Sequence, residues 1–505
     1  MFRGFFSTWA GLIINGLVTI LLTRVLVHGL GNFYYGLWIL VSSVLDYYGL
    51  LDMGMRYSLQ RFVARYGGAN ERQALNETFM TGVSMAACIA AAAFILCGVL
   101  LVVLPGFFNL AGESRSLFRI LLVIQTVTLA LDFPARIMGA YLCGLHRFDL
   151  FNGAGITWGI SRGLVFWAVI RLGGKVTSIA IAQLIIVALM FVLYWSFVKL
   201  ADPGLSLGWK HTSWARTREL IHFSVFVFIS DLGDRLRFYT GVIIISRMLS
   251  VALSTPWNVI TKLMETFKMA FYPITGPLNT EANRLEGAKR FDESRKLFLR
   301  STKFCVLLSF AGTTVLLTHG RDILHFWIGE GFAGNYNVLF VLTVGYCVML
   351  MQSSSTVFLY VRSRHKLLAA WTLAEGIANL TLSIYWARHY GGIIGVALGT
   401  TVPLLIVRLG IQPFYTLHVM EVTWSEYLSK SLLRPALVSA GVLAIGSVTG
   451  LLRRAPNLPV FAAMMIALGL LFAALSYWII LDDDERESLR HRGQLILQRV
   501  RTQQT

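Results

Sequence analysis

The sequence predicts an all-α integral membrane protein with about fourteen transmembrane helices. Three observations predict it. Of 505 residues, 56% are hydrophobic and only 14% charged, with a mean hydropathy of +0.65; a soluble domain carries about 25% charged residues. The apolar residues gather into runs of roughly 20, the length of a bilayer-crossing helix. The links between the runs are basic on alternate sides. A water-soluble enzyme is excluded on composition. The net charge of +18 sits mostly in those short links, so it reads as membrane orientation and gives no ground for nucleic acid as a partner.

In chain order the spans are expected near 5–28, 36–55, 78–103, 117–138, 152–171, 178–198, 221–246, 251–272, 302–319, 336–360, 367–387, 393–415, 432–452 and 459–481. The first opens with Arg3 like a signal sequence. It is too long for an apolar signal core and lacks a small-x-small cleavage site, so it is expected as a retained helix. Spans 117–138 and 251–272 carry internal charges. At about 21 residues each, the spans leave only short loops and two tails, with no room for a folded soluble domain. One set of links and ends holds 25 Lys/Arg, among them Arg56, Arg61, Arg65, Arg284, Lys303 and Lys430; the alternate set holds 7. Both termini are therefore expected in the cytoplasm, which requires an even number of spans. The five Cys (Cys88, Cys97, Cys143, Cys305, Cys347) show no disulfide framework and no zinc spacing.

An internal repeat organises these spans. Arg65-Tyr66-Gly67-Gly68-Ala69-Asn70 aligns with Arg284-Leu285-Glu286-Gly287-Ala288-Lys289, and Leu145-His146-Arg147-Phe148 with Arg364-His365-Lys366-Leu367, both at an offset of 219; Gly173-Gly174 aligns with Gly391-Gly392 at 218. Duplication of a six-helix half would relate the halves by an axis along the membrane normal, as in parallel-repeat transporters. The expected division is a first lobe over 1–200, a cytoplasmic link over 201–219, a second lobe over 220–418, an appended helix pair over 419–481 and a cytoplasmic tail over 482–505.

Leu22-Thr23-Arg24-Val25-Leu26, followed by Leu30-Gly31-Asn32-Phe33-Tyr34-Tyr35-Gly36-Leu37-Trp38, resembles the start of bacterial polysaccharide flippases. So does Leu50-Leu51-Asp52-Met53-Gly54-Met55 running into Leu59-Gln60-Arg61-Phe62-Val63-Ala64-Arg65-Tyr66. Gly144-Leu145-His146-Arg147-Phe148-Asp149-Leu150-Phe151-Asn152 is similar to the loop between helices 4 and 5 of that family. These are the O-antigen and exopolysaccharide flippases of the superfamily that also holds MATE multidrug exporters and the lipid II flippase. The resemblance is strongest over roughly the first 160 residues. It implies a MATE-like fold, two six-helix lobes around a central cavity. It also implies transfer of undecaprenyl-pyrophosphate-linked oligosaccharide to the outer leaflet of the bacterial inner membrane, beside polymerase and glycosyltransferase partners.

Charges inside the spans bear on that reading, since each costs at least about 2.5–3.5 kcal/mol when it faces lipid. Span 221–246 carries Asp231, Asp234, Arg235 and Arg237, spaced so that Asp231 meets Arg235 and Asp234 meets Arg237 on the helix surface. They read either as self-neutralising pairs beside water or, for the arginines, as pyrophosphate ligands, because a guanidinium fork matches phosphate oxygens. Asp132 with Arg136 and Lys262 with Glu265 pair in the same way. Left over within their own helices are Arg24, Arg162, Lys268 and Arg408 against Asp46 and Glu375. That remainder is net basic, which suits a lipid diphosphate better than a drug cation. Arg162 and Arg408 lie near mid-span, while Arg24 lies near a span end, where snorkelling is the ordinary explanation. Asp46, Glu375, Asp231 and Asp234 are candidates for Na⁺ or H⁺ coupling. No other cofactor or metal site is expected.

Smaller features have ordinary readings. Pro256 is expected in the first turn of its helix. Gly391, Gly395 and Gly399, and Gly153, Gly155 and Gly159, read as close-packing stripes, with Pro403 a candidate kink. Tyr34, Tyr35, Trp38, Trp195, Trp209, Trp214, Tyr477 and Trp478 read as interfacial belts. Leu489, Leu495, Ile496 and Val500 in the tail suit a short surface helix or a frayed end. No Walker loop, Ser/His/Asp set or HExxH motif appears. The loops at 104–116 and 320–335 are too short for the outer domain of a ligase or polymerase. A MATE exporter and the lipid II flippase are the remaining alternatives.

Overall fold

The computed structural model describes residues 2–52, 54–206, 208, 211–481 and 486; the tail helix expected around Leu489–Val500, and Trp209, lie outside them. The described residues are helical throughout, without a strand. The helices are α1 (Phe2–Asp46), α2 (Met55–Gly68), α3 (Arg72–Phe107), α4 (Gly112–Gly144), α5 (Phe148–Arg171), α6 (Val176–Ala201), α7 (Trp214–Phe238), α8 (Thr240–Met248), α9 (Ser254–Met269) and α10 (Tyr272–Gly287). They continue with α11 (Phe291–Trp327), α12 (Glu330–Ala333), α13 (Tyr336–Met351), α14 (Ser353–Val361), α15 (His365–His389), α16 (Gly392–Leu405), α17 (Gln412–Val419), α18 (Trp424–Tyr427), α19 (Arg434–Thr449) and α20 (Leu458–Ile479). Wide π-turns at Ile406–Ile411 and Leu428–Leu433 join α16 to α17 and α18 to α19.

Eleven of the described helical stretches are long and apolar enough to cross a membrane. The difference from fourteen has physical causes. The first stretch, Ile14–Gly68, runs through two expected spans, divided inside α1 where Gly31 takes φ 74° and breaks the helix. Spans 221–246 and 251–272 do not qualify. Their helices α7 and α9 carry charge, and α9 has only 16 residues. Four further helices, α2, α10 and the short α12 and α18, form where loops were expected.

The backbone repeats where the sequence does. Helix ends at Asn70 (φ 58°) and Lys289 (φ 57°) stand 219 residues apart, and those at His146 (φ 58°) and Ser363 (φ 57°) stand 217 apart. At the first pair the closing bonds match: Glu71 N–H donates to Tyr66 O and Arg290 N–H to Leu285 O, the bond that closes a left-handed helix cap. Gly173 and Gly391 also share a positive φ. His146 therefore corresponds in backbone register to Ser363, and its sequence match to His365 is two residues out.

Contacts divide the chain into two compact units, one of residues 1–270 with 364–403, the other of 271–363 with 404–505. In the first, α1 packs along α5, α4 against α3 and α6, and α7 along α15. The α7–α15 crossing is close because both helices present glycine. A Cβ at Gly233 would lie 2.6 Å from Thr372 O, and one at Gly376 2.7 Å from Gly233 O. Gly376→Val must separate the backbones, and we expect it to lower stability by about 1–3 kcal/mol, read as a drop in the thermal midpoint of the purified protein.

The packing stripes are only partly as expected. Gly395 meets the backbone of Trp386, Gly399 meets Ser383, and Gly159 meets Asn15. Gly153 and Gly155 face open space, and Gly391 serves a turn at φ 65°. Pro256 lies in the first turn of α9. Tyr34, Trp214 and Trp478 are exposed as a belt requires, but Tyr35 and Trp38 are buried. Tyr35 donates to Asn258 Oδ1 (2.9 Å), and Trp38 packs on Phe166.

In the second unit, Phe298, Phe358, Leu278 and Tyr427 form one core and Val438, Val442 and Leu468 another. The appended pair is tied to α11 at both ends. Lys303 is buried and donates to Ile480 O (3.2 Å), just past the C-terminal end of α20, where a cation complements the helix dipole. It was expected in a cytoplasmic link. At the other end His319 Nε2 lies 2.9 Å from Leu451 O, and Asp322 accepts from Ala455 N–H.

Candidate functional site

Charged groups of the first unit converge. Around Asp46, at the end of α1, lie Arg136 of α4, Arg235 of α7, and Lys262 and Glu265 of α9. Around Asp52, in the 3₁₀ turn that follows α1, lie Arg56, Arg136 and Asp231. Asp132 and Arg136 pair at 2.6 Å one turn apart on α4, as Lys262 and Glu265 do on α9. Pairing within a helix does not remove these four from the site, as helical spacing alone suggests. Instead they share one field with Asp46. The group holds five carboxylates (Asp46, Asp52, Asp132, Asp231, Glu265) and four cations (Arg56, Arg136, Arg235, Lys262). Its charges nearly balance.

Two cavities of this unit border the group. One, about 190 Å³, is lined by Asp132, Gly155, Trp158, Met190 and Tyr194 among others. The other, about 350 Å³, has Asp52, Thr81, Ser84, Cys88 and Trp214 in its wall. Trp158, Arg162 and Phe166 follow one another at i,i+4 on α5, so they share a face at about 5–6 Å spacing. The Arg162 guanidinium stands over the Phe166 ring at 5.5 Å, and its Nε is buried without a hydrogen-bond partner. A buried arginine donor left unmatched is costly, and an arriving anion would satisfy it.

The remaining candidates sit in built contacts. Arg235 pairs with Asp231 at 2.9 Å and donates to the Asp46 carbonyl, tying α7 to the end of α1. Arg237, buried, bonds Asp234 of its own helix and the fully buried Glu375 of α15. Asp234 and Glu375 thus already hold a counter-cation. Lys268 stands 5.0 Å over the Phe238 ring, and Arg24 is exposed on α1. Arg408 belongs to the second unit, buried in the π-turn after α16, where Nη1 donates to Gln412 Oε1; Gln412 Nε2 in turn donates to Thr356 Oγ1 (3.1 Å). Arg136 was set aside as the partner of Asp132, and Asp52, Trp158 and Tyr194 were missed; of these three, the placement of Trp158 one turn from Arg162 was visible in the sequence.

No family model matches the chain. A putative O-antigen transporter of Shigella flexneri is 22% identical over 81% of this chain and 97% of its own. Among solved structures, the lipid II flippase MurJ in an inward closed conformation superposes with a TM-score of 0.74 at 14% identity, covering 94% of this chain and 98% of that one. An inward-facing multidrug resistance MATE family transporter of the MOP superfamily gives 0.69 at 12% identity, covering 80% and 94%. The resemblance seen in the opening motifs thus extends, through the O-antigen relative, over most of the chain. The chain has the all-helical membrane fold of the MOP superfamily, the fold shared by MATE transporters and MurJ.

Proposed function

We infer that the protein is a flippase that carries undecaprenyl-pyrophosphate-linked oligosaccharide across the inner membrane for surface polysaccharide synthesis. The observation that carries this reading is the buried, unmatched Arg162 donor one turn from a cavity walled by Trp158, Tyr194 and Asp132. A guanidinium fits the diphosphate; aromatic faces and a carboxylate fit a sugar above it. The 22% identical O-antigen transporter relative supports the same substrate class. In the cycle, the headgroup enters with its polyprenyl tail left in lipid, and the six-helix lobes expected at 1–200 and 220–418 rock about the site. Both termini face the cytoplasm, as the Lys/Arg asymmetry of the links favours even with Lys303 set aside.

Asp46 is the best-placed coupling residue for Na⁺ or H⁺. Asp234 and Glu375 are held by Arg237, and Asp231 by Arg235. Asp46→Asn should uncouple flux from the ion gradient while leaving the fold intact. Equal gradient dependence in Asp46→Asn and wild-type proteoliposomes would remove Asp46 from that role.

The decisive experiment is mass spectrometry of polyprenyl-linked sugars after depletion of the protein in its native cell. Build-up of an undecaprenyl-pyrophosphate oligosaccharide with loss of the matching surface polymer is expected. Accumulated lipid II with lysis would instead assign the peptidoglycan precursor as cargo. New sensitivity to cationic drugs without any lipid intermediate would assign drug export.

A further inference from the structure

Arg119 of α4 lies outside the site described above. Pro105 in α3 has no N–H, so the carbonyl four residues earlier, Leu101 O, loses its helical donor. In a bilayer such a carbonyl must find another donor. Arg119 supplies it, with Nε donating to Leu101 O at 3.1 Å. That bond uses one N–H of five and anchors the guanidinium at an open groove lined by Leu101, Val102, Ile120, Val123 and Ile124. Val102 is 71% exposed and Ile120 47%, so in a membrane this groove faces lipid.

Arg119 sits seven residues inside α4, which begins at Gly112, or about 10 Å below that helix end. Its side chain leans toward that end, because Cβ bonds tilt toward a helix N-terminus. Arg115, one turn earlier on the same face, is exposed. Two like charges at i,i+4 repel unless an anion lies between them. We propose that Arg119 and Arg115 clamp the phosphate of a bilayer glycerophospholipid whose acyl chain lies in the groove of Leu101, Val102, Ile120 and Val123. The apolar walls accommodate the chain, and the forked cations match the phosphate.

Phosphatidylglycerol titrated against the purified full-length protein, with bound lipid counted by native mass spectrometry, tests this. Arg119→Gln alone would also strip Leu101 O of its donor, so the comparison is made in Pro105→Ala, where the backbone N–H gained at that position restores the bond. Arg119→Gln in the Pro105→Ala background should bind one phosphatidylglycerol about tenfold more weakly than Pro105→Ala, and Arg115→Gln should weaken it less. Equal retention in all variants would overturn the proposal. So would an Arg119-dependent site that takes undecaprenyl phosphate but not phosphatidylglycerol.

Discussion

Glu375→Ala should destabilise the protein by about 3–5 kcal/mol, because it leaves Arg237 buried without its interhelical partner. Arg237 is 5% exposed and Glu375 not at all. The converse change, Arg237→Ala, should also destabilise the protein, since it takes the guanidinium away from the buried Glu375 carboxylate. Asp234, whose side chain is 45% exposed, can turn to water and does not add to that loss. Replacing both members, Arg237→Met with Glu375→Leu, should recover most of the stability, because an apolar pair of similar volume incurs no charge-desolvation cost. The measurement is the unfolding midpoint of the purified protein in mixed micelles. A Glu375→Ala variant within about 0.5 kcal/mol of wild type would show that water reaches the pair. A Na⁺-dependent midpoint abolished by Glu375→Gln would instead make Glu375 an ion ligand, against the assignment of its charge to Arg237.

That pair also marks where sequence reading stops. Asp231 with Arg235 and Asp234 with Arg237 were legible because helical spacing alone puts them in reach, and both pairs form. Arg237 with Glu375 spans 138 residues, and nothing local in either segment announces it. It depends on Gly233 and Gly376 letting α7 and α15 approach, a relation between two helices that neither shows alone. The same holds for Asp52 and Tyr194, which reach their cavity walls by packing of separate helices. The membrane class, most of the span positions and the repeat were legible, since apolar runs and cap residues are local signals. The repeat register slipped by two residues at Ser363 because cap geometry, and not side-chain identity, is what repeats there. Lys303 misled for a related reason. Lysine near a span end reads as a cytoplasmic charge, and only the fold supplies the Ile480 carbonyl that holds it in the interior.

Arg162 and Arg408 looked equivalent in the sequence, each a basic residue near mid-span, and their surroundings now separate them. Arg162→Ala removes a guanidinium whose contact is the face of Phe166 and whose Nε has no partner, so it leaves no acid stranded and membrane abundance should hold. Flux of the lipid-linked oligosaccharide should fall about 10–100-fold, the loss of a charge-assisted bond worth about 1.5–3 kcal/mol. Arg162→Lys should recover part of it, keeping the charge but not the fork. Arg408→Ala should act differently. It breaks a buried chain running through Gln412 to Thr356 across the π-turn, and the expected loss is stability, with flux per folded molecule little changed. Pulse-labelled accumulation of the polyprenyl intermediate, normalised to folded protein in the membrane, distinguishes the two. Wild-type flux in Arg162→Ala at equal abundance would take Arg162 out of the site and leave its unmatched Nε as a matter of packing alone.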